Sequence, residues 1–220
     1  FGGYDEDGVN GETWEWDGIS WRLRASDGPD PRGHPAMAYD HARGATVLFG
    51  GSELDSSIDG ETWEWNGSFW TLRATDGPSP RSRSSLAYDS ARGVSVLFGG
   101  YNRGQLGDTW EWDGSAWTQR SVRTAKRLHP AMAFDAKRKV VVLFGGYDGN
   151  EDLGETWEWG GTAWVLRSTT GPSPRTSHAM AYDSARGVTV LFGGLDDGRL
   201  GDTWEWDGST WMLRATSGPS

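Results

Sequence analysis

Every one of the 15 tryptophans in this 220-residue chain belongs to one of five triplets. They are Trp14, Trp16 and Trp21; Trp63, Trp65 and Trp70; Trp110, Trp112 and Trp117; Trp157, Trp159 and Trp164; Trp204, Trp206 and Trp211. The first members are separated by 49, 47, 47 and 47 residues, and self-similarity at such a period marks an array of small units that stack on one another. The fullest form of the motif is Gly107-Asp108-Thr109-Trp110-Glu111-Trp112-Asp113-Gly114-Ser115-Ala116-Trp117. Any fold for this chain must place that stretch five times in equivalent surroundings.

The copy from Gly171 to Arg214 reads as four strands. Residues 174–183 form strand a, and the turn Ser184-Ala185-Arg186-Gly187 leads into strand b at 188–192, which ends on Gly193-Gly194. Strand c spans 202–206, and Asp207-Gly208 makes a turn that tolerates positive φ before strand d at 211–214. A content of 33 Gly and 13% aromatic residues suits many short strands joined by tight turns. Four antiparallel strands in each unit of this length are the pattern of a propeller blade.

The Gly-Gly doublet that closes strand b recurs at Gly50-Gly51, Gly99-Gly100, Gly145-Gly146 and Gly193-Gly194. Aromatic residues follow in strand c (Trp65, Trp112, Trp159, Trp206) and again five positions on (Trp70, Trp117, Trp164, Trp211). With the Pro-Arg that opens strand a, these residues resemble the kelch family over essentially the whole chain. The third copy departs by opening with Ala125-Lys126-Arg127, and tryptophan stands in strand c where the family more usually has tyrosine or valine. The resemblance implies an all-β fold: a kelch-type β-propeller of four-stranded antiparallel blades, with five repeat units and the first blade incomplete. Residues 1–220 then form one domain, with a half blade at 1–24 and blades at about 25–73, 74–120, 121–167 and 168–214. Strand a occurs four times (31–40, 80–89, 126–135, 174–183) while strands c and d occur five times. By the internal period, about 18–20 residues separate the chain from a closed five-unit ring. The expectation is a mature product or a piece of something longer, with a second chain or further sequence covering the open blade edge.

Alternation in strand c sets Trp204 and Trp206 on one face and Thr203, Glu205 and Asp207 on the other. Tryptophans placed so regularly pack blades together; each buried one removes about 150–250 Å² from water, about 4–6 kcal/mol as an upper bound. Between the tryptophan pairs stand Glu15, Glu64, Glu111, Glu158 and Glu205, and strand d ends on Arg24, Arg73, Arg120, Arg167 and Arg214. A carboxylate in so apolar a setting needs a charged donor, so the two series predict a structural ladder.

A second arginine series, Arg32, Arg81, Arg127 and Arg175, opens strand a. In kelch-like blades that strand is innermost, so the four side chains are candidates to ring the channel mouth and hold an anion or carboxylate ligand. His34 and His129 stand two residues after their arginines and His178 three after its own, but they lie on different blades and make no metal site. The b-to-c loops vary most between copies, and with the d-to-a connections they share one face, which makes that face the binding candidate. Tyr4, Tyr101 and Tyr147 follow their Gly-Gly doublets on this face and are candidate ligand contacts. Its acidic loops, such as Asp148-Gly149-Asn150-Glu151-Asp152, lack the calcium-loop pattern.

No nucleophile elbow, zinc-protease motif or phosphate-binding loop is present, so no enzyme, catalytic residue, metal or cofactor is expected. The net charge of -10 argues against a nucleic-acid partner and anionic membranes, and no apolar run is long enough for a membrane-spanning helix. The absence of cysteine fits either side of a membrane. The function expected is a protein interaction or scaffold module acting through the variable loop face. The alternatives are a carbohydrate-binding module using the exposed tyrosines, and a repeat assembly, engineered or excised from a larger ring, with a purely structural role. The partner is then a protein or a second copy of the chain at the open edge, or a glycan.

Overall fold

The computed structural model describes residues 1–6, 8–120 and 125–218. The blade boundary read at residue 121, Asp7 in the first b-to-c loop, and Pro219-Ser220 lie outside them. A short hairpin, β1 (Tyr4–Asp5) and β2 (Gly8–Val9), precedes the half blade, β3 (Thr13–Trp16) and β4 (Trp21–Ala25). Four complete blades follow. Blade I holds β5 (Ala36–Asp40), β6 (Ala45–Phe49), β7 (Thr62–Trp65) and β8 (Trp70–Ala74). Blade II holds β9 (Ser85–Asp89), β10 (Val94–Phe98), β11 (Thr109–Trp112) and β12 (Trp117–Arg120). Blade III holds β13 (Ala131–Asp135), β14 (Val140–Phe144), β15 (Thr156–Trp159) and β16 (Trp164–Ser168). Blade IV holds β17 (Ala179–Asp183), β18 (Val188–Leu195), β19 (Arg199–Trp206) and β20 (Trp211–Ala215).

Each blade is a fully antiparallel meander with strand a innermost. Strand β9 touches β5 on one side and β13 on the other, and β13 touches β17, so the first strands gather around an axis. These strands start later than the sequence suggests, at Ala36 rather than residue 31 in blade I. The delay has a local cause: His34 takes a left-handed φ of 52° and Pro35 has no N–H, which interrupts the ladder after the lone Gly33–Ser52 bridge.

The b strands of blades I to III are buried on both faces because a neighbouring unit packs on each side of them, whereas β18 of blade IV alternates buried and half-exposed. Val47, Leu48 and Phe49, Val96, Leu97 and Phe98, and Val141 to Phe144 are all buried. The three tryptophans of each triplet have separate tasks. The first donates its Nε1–H to an acid two residues earlier, as Trp110 does to Asp108 at 2.7 Å. The second reaches the strand-c glutamate of the preceding blade: Trp65 to Glu15 (2.9 Å), Trp112 to Glu64 (3.1 Å), Trp159 to Glu111 (3.0 Å) and Trp206 to Glu158 (3.3 Å). The third reaches the strand-c threonine of that same blade: Trp70 to Thr13, Trp117 to Thr62, Trp164 to Thr109 and Trp211 to Thr156, at 2.7–2.9 Å. The phenylalanine ending strand b of the preceding blade meets that third ring, as Phe49 meets Trp117 at 5.2 Å and 66°.

The glutamates are the nodes of this arrangement. Glu111 accepts from Arg120, the ladder partner expected from the sequence, but also from Arg92 in the a-to-b turn and from Trp159 of the next blade. Glu64 does the same with Arg73, Arg43 and Trp112. Burial alone would raise the Glu111 pKa; the bonds from Arg92, Trp159 and Arg120 outweigh it and hold the carboxyl below its ordinary value. The Gly-Gly doublet has an equally specific role. Gly100 N–H donates to the Arg127 carbonyl of the next blade at 2.9 Å, and Gly99, at φ 68°, lies so close that a Cβ there would sit 2.5 Å from the same oxygen.

Candidate interaction face

The four strand-a arginines do not stand open to the channel. Arg32, Arg81 and Arg127 are 0% exposed and Arg175 is 1% exposed. Each sends Nη1 to the carbonyl of its own blade's Gly-Gly doublet, at 3.3, 3.1, 3.1 and 2.9 Å for Gly50, Gly99, Gly145 and Gly193. Arg81 and Arg175 then clasp Asp108 and Asp202 bidentately, at 2.6 and 2.9 Å in both cases. Arg32 meets Asp59 and Glu61, and Arg127 meets Glu155. The Arg81 bonds hold Asp108 below the ordinary carboxylate range even though burial opposes them. These guanidinium groups tie strand a to the start of strand c, which leaves them no geometry for the anion ring inferred from the sequence.

The position just after each doublet forms an equivalent set on the b-to-c face. Ser52, Tyr101, Tyr147 and Leu195 each bridge the strand-a opening of their own blade, opposite Gly33, Ser82, Leu128 and Thr176. Tyr4 occupies that position in the half blade and is 59% exposed, its ring 5.3 Å from His34. Tyr101 and Tyr147 are half-buried, and the Tyr147 hydroxyl is committed to the Gly149 carbonyl at 2.9 Å. Blade I alone has serine here, between two tyrosine-bearing neighbours. The missing ring leaves a cavity of about 530 Å³ between Tyr4 and Tyr101, with Ser52 lying between them.

Leu54, Ile58 and Glu53 from the blade I loop and Arg83 from blade II complete its wall. A second hollow of about 590 Å³ continues from it past Ile58 and Tyr101 to Arg103. Leu54 is 71% exposed at the rim. The groove is mixed in character: Leu54, Ile58 and the two tyrosines alternate with Ser52, Ser56, Ser82 and Glu53, and Arg83 and Arg103, neither in an ion pair among the described residues, stand one beside each half. Ser56 (φ 69°), Arg83 (φ 59°) and Arg103 (φ 55°) hold left-handed backbone at its edge, a conformation that non-glycine residues take only where surrounding contacts fix it.

Beside the groove, His34, Arg83 and His129 occupy equivalent positions on three consecutive blades. Arg83 N–H donates to the His34 carbonyl at 3.1 Å and His129 N–H to the Arg83 carbonyl at 2.8 Å, a backbone chain that crosses two blade junctions. The His34 and His129 rings meet edge to face at 5.0 Å. Burial, His34 and Arg83 push His129 down to about 4, and burial with Arg83 also lowers His34, so both rings are neutral near pH 7. Among the described residues no group of three or more His, Asp or Glu is placed to hold a metal ion. Sequence reasoning placed the loop with Leu54 and Ile58 on the candidate face without singling them out, and passed over Arg83, which stands where blades I and III carry histidine; the serine in place of tyrosine at 52 was the available signal.

A family model described as the KLHDC2/KLHL20/DRC7 Kelch-repeats domain matches residues 33–219. No curated protein matches the chain.

Proposed function

The chain belongs to the kelch-repeat family, whose domains generally serve protein interaction, and from that premise we propose that it is a non-catalytic interaction module that takes a protein segment in the Tyr4–Tyr101 groove. The observation that carries this reading is the groove itself: it lies on the face where the loops differ from copy to copy. Exposed Tyr4 and Leu54 and half-buried Ile58 and Tyr101 line it among serines and Glu53, with Arg83 and Arg103, in no ion pair among the described residues, alongside. Such a surface suits an extended segment that places an apolar side chain against Leu54 and Ile58 and an acidic group near Arg83 or Arg103.

Panning a peptide display library against the chain, then titrating the selected peptides calorimetrically, tests the reading. Leu54→Asp or Tyr101→Ala is expected to weaken binding tenfold or more, the scale of losing an interface anchor of about 1.4 kcal/mol. Tyr147→Ala, on a blade outside the groove, is expected to leave affinity within about twofold. Selected peptides indifferent to both groove variants would sink the proposal. A glycan array run alongside addresses the carbohydrate alternative, for which Tyr4 is the exposed platform.

A further inference from the structure

The residue two places before each innermost strand is His34, Arg83, His129 and Ser177 in blades I to IV, and all four hold left-handed backbone, at φ 52°, 59°, 52° and 55°. Non-glycine residues rarely adopt that conformation, and here it recurs at one place in every complete blade. These positions open the strands that gather at the axis, so they lie around the loop-face mouth of the channel. Convergence there is direct: the His34 and His129 rings meet at 5.0 Å although blade II lies between their blades. Arg83 comes from that intervening blade, and its backbone is held on both sides, by the His34 carbonyl at 3.1 Å and the His129 N–H at 2.8 Å.

Three basic side chains thus share one small region of a chain whose net charge is -10. Burial and Arg83 act on both imidazoles, and His34 acts on His129; every one of these disfavours the charged form. No carboxylate among the described residues counters them. Tyr4 lies against His34 at 5.3 Å, and Glu53, elsewhere in the groove wall, is in no ion pair with Arg83. Arg103 has no such company. It sits in the turn closed by the Asn102 N–H and the Gly104 carbonyl at 3.0 Å, and it acts on neither histidine. A negative group among His34, Arg83 and His129 therefore meets one permanent cation and two imidazoles whose protonation it favours.

We propose that His34, Arg83 and His129 form a carboxylate site beside the groove, and that an acidic side chain of the bound segment occupies it together with a proton taken up from solution. The proton adds to an imidazole nitrogen, and the carboxylate accepts from that N–H and from the Arg83 guanidinium. The occupant rests on the groove's reading as an interaction site; the three-residue anion site does not. Because the carboxylate raises the imidazole pKa, the bound state holds more protons than the free one. Affinity therefore rises as the pH falls from about 7.5 to about 5.5, a range in which the segment's own Asp or Glu stays ionised.

NMR titration of the chain's four histidines tests the site with sulfate, whose charge is constant over this range, against chloride at equal ionic strength. Sulfate is expected to raise the titration midpoints of His34 and His129 by about one pH unit and to leave His41, in the a-to-b turn, where it was. Arg83→Gln, at an exposed position, is expected to remove the sulfate effect and, with no sulfate present, to raise the same two midpoints. Arg103→Gln is expected to do neither. A groove-selected peptide carrying an acidic residue is expected to bind about tenfold tighter at about pH 5.5 than at about 7.5, a gain that Arg83→Gln abolishes. Midpoints indifferent to sulfate overturn the site. Midpoints that respond, with peptides that bind equally at both pH values or lose the gain through Arg103→Gln instead, overturn the segment's carboxylate as the occupant. A response to sulfate with no selectable peptide removes the groove's reading, and the occupant with it, and leaves the anion site standing.

Discussion

Blade II and the half blade carry the same Thr-Trp-Glu-Trp strand and almost the same turn, yet Trp112 is 1% exposed and Trp16 is 53% exposed. Nothing local separates them. Strand β11 lies between β10 and β12 with blades I and III on its faces, whereas β3 has β4 on one edge and blade I on one face. The repeated motif is therefore not a stable object in itself. It is one side of a junction, and its burial, hydrogen bonding and energetic weight are set by whether a neighbour supplies the other side, as expected for an architecture whose stability is a sum of unit and nearest-neighbour terms.

The largest consequence is in the tryptophans. Trp112→Ala is expected to cost about 3–5 kcal/mol, from lost transfer free energy, the cavity left behind, and the Glu64 lone pair left without its indole donor. Trp16→Ala in dilute solution is expected to cost about 1 kcal/mol or less, since the ring is half in water already. Urea unfolding followed by circular dichroism compares the two. Equal costs would mean that the half blade is as tightly held as an internal blade.

A smaller contrast is expected in the glutamates. Glu111→Ala strands Arg92, Arg120 and Trp159 Nε1 together and is expected to cost about 3 kcal/mol, less than a fully dry ion pair because both arginines reach solvent. Glu15→Ala removes the bonds from Trp65 and Arg24, with the latter pair exposed, and is expected to cost about 1 kcal/mol. The same unfolding experiment ranks them. Because Glu111 is held below its ordinary value of 4.5, its contribution is present above that pH and lost as the pH falls further.

The fold was legible because the features that specify it repeat: the tryptophan period, the Gly-Gly doublets, and the strand-d arginines that do meet the strand-c glutamates. Less legible was anything fixed by partners far apart in the chain. Arg43 bonds Glu64 and Arg81 bonds Asp108, 21 and 27 residues away, so the strand-a arginines looked available when strand c had already claimed them. The groove is hidden for a different reason. It comes from what one copy lacks, the ring at Ser52, and from Leu54 and Ile58 in a b-to-c loop whose sequence differs from its counterparts.

The finest contrast lies at the position after the left-handed residue of each strand-a opening, which is Pro35, Ser84, Pro130 and His178 in blades I to IV. Pro35 lies toward Gly2 of the half blade; His178 fills the same place in the III–IV junction, buried beside Gly145 with its ring 5.5 Å from Phe144. Burial, aided by Arg175, pushes His178 down to about 4 from an ordinary 6.5, against the opposing Phe144 and Thr176 backbone groups. Between these two values the unfolded chain binds a proton that the folded chain refuses. The contribution of His178 is therefore complete above pH 6.5 and is lost as the pH falls toward 4. Its largest slope is one proton, about 1.4 kcal/mol per pH unit. His178→Pro copies the residue that blades I and III already use, so the backbone is suited to it and the titrating group disappears. Stability at pH 7 is expected to change by about 1 kcal/mol or less, while its fall between pH 6.5 and 4 becomes shallower by up to one proton. Urea midpoints across that range measure it. An unchanged slope would assign the acid sensitivity of the closed junctions to the carboxylate nodes and His129 rather than to this ring.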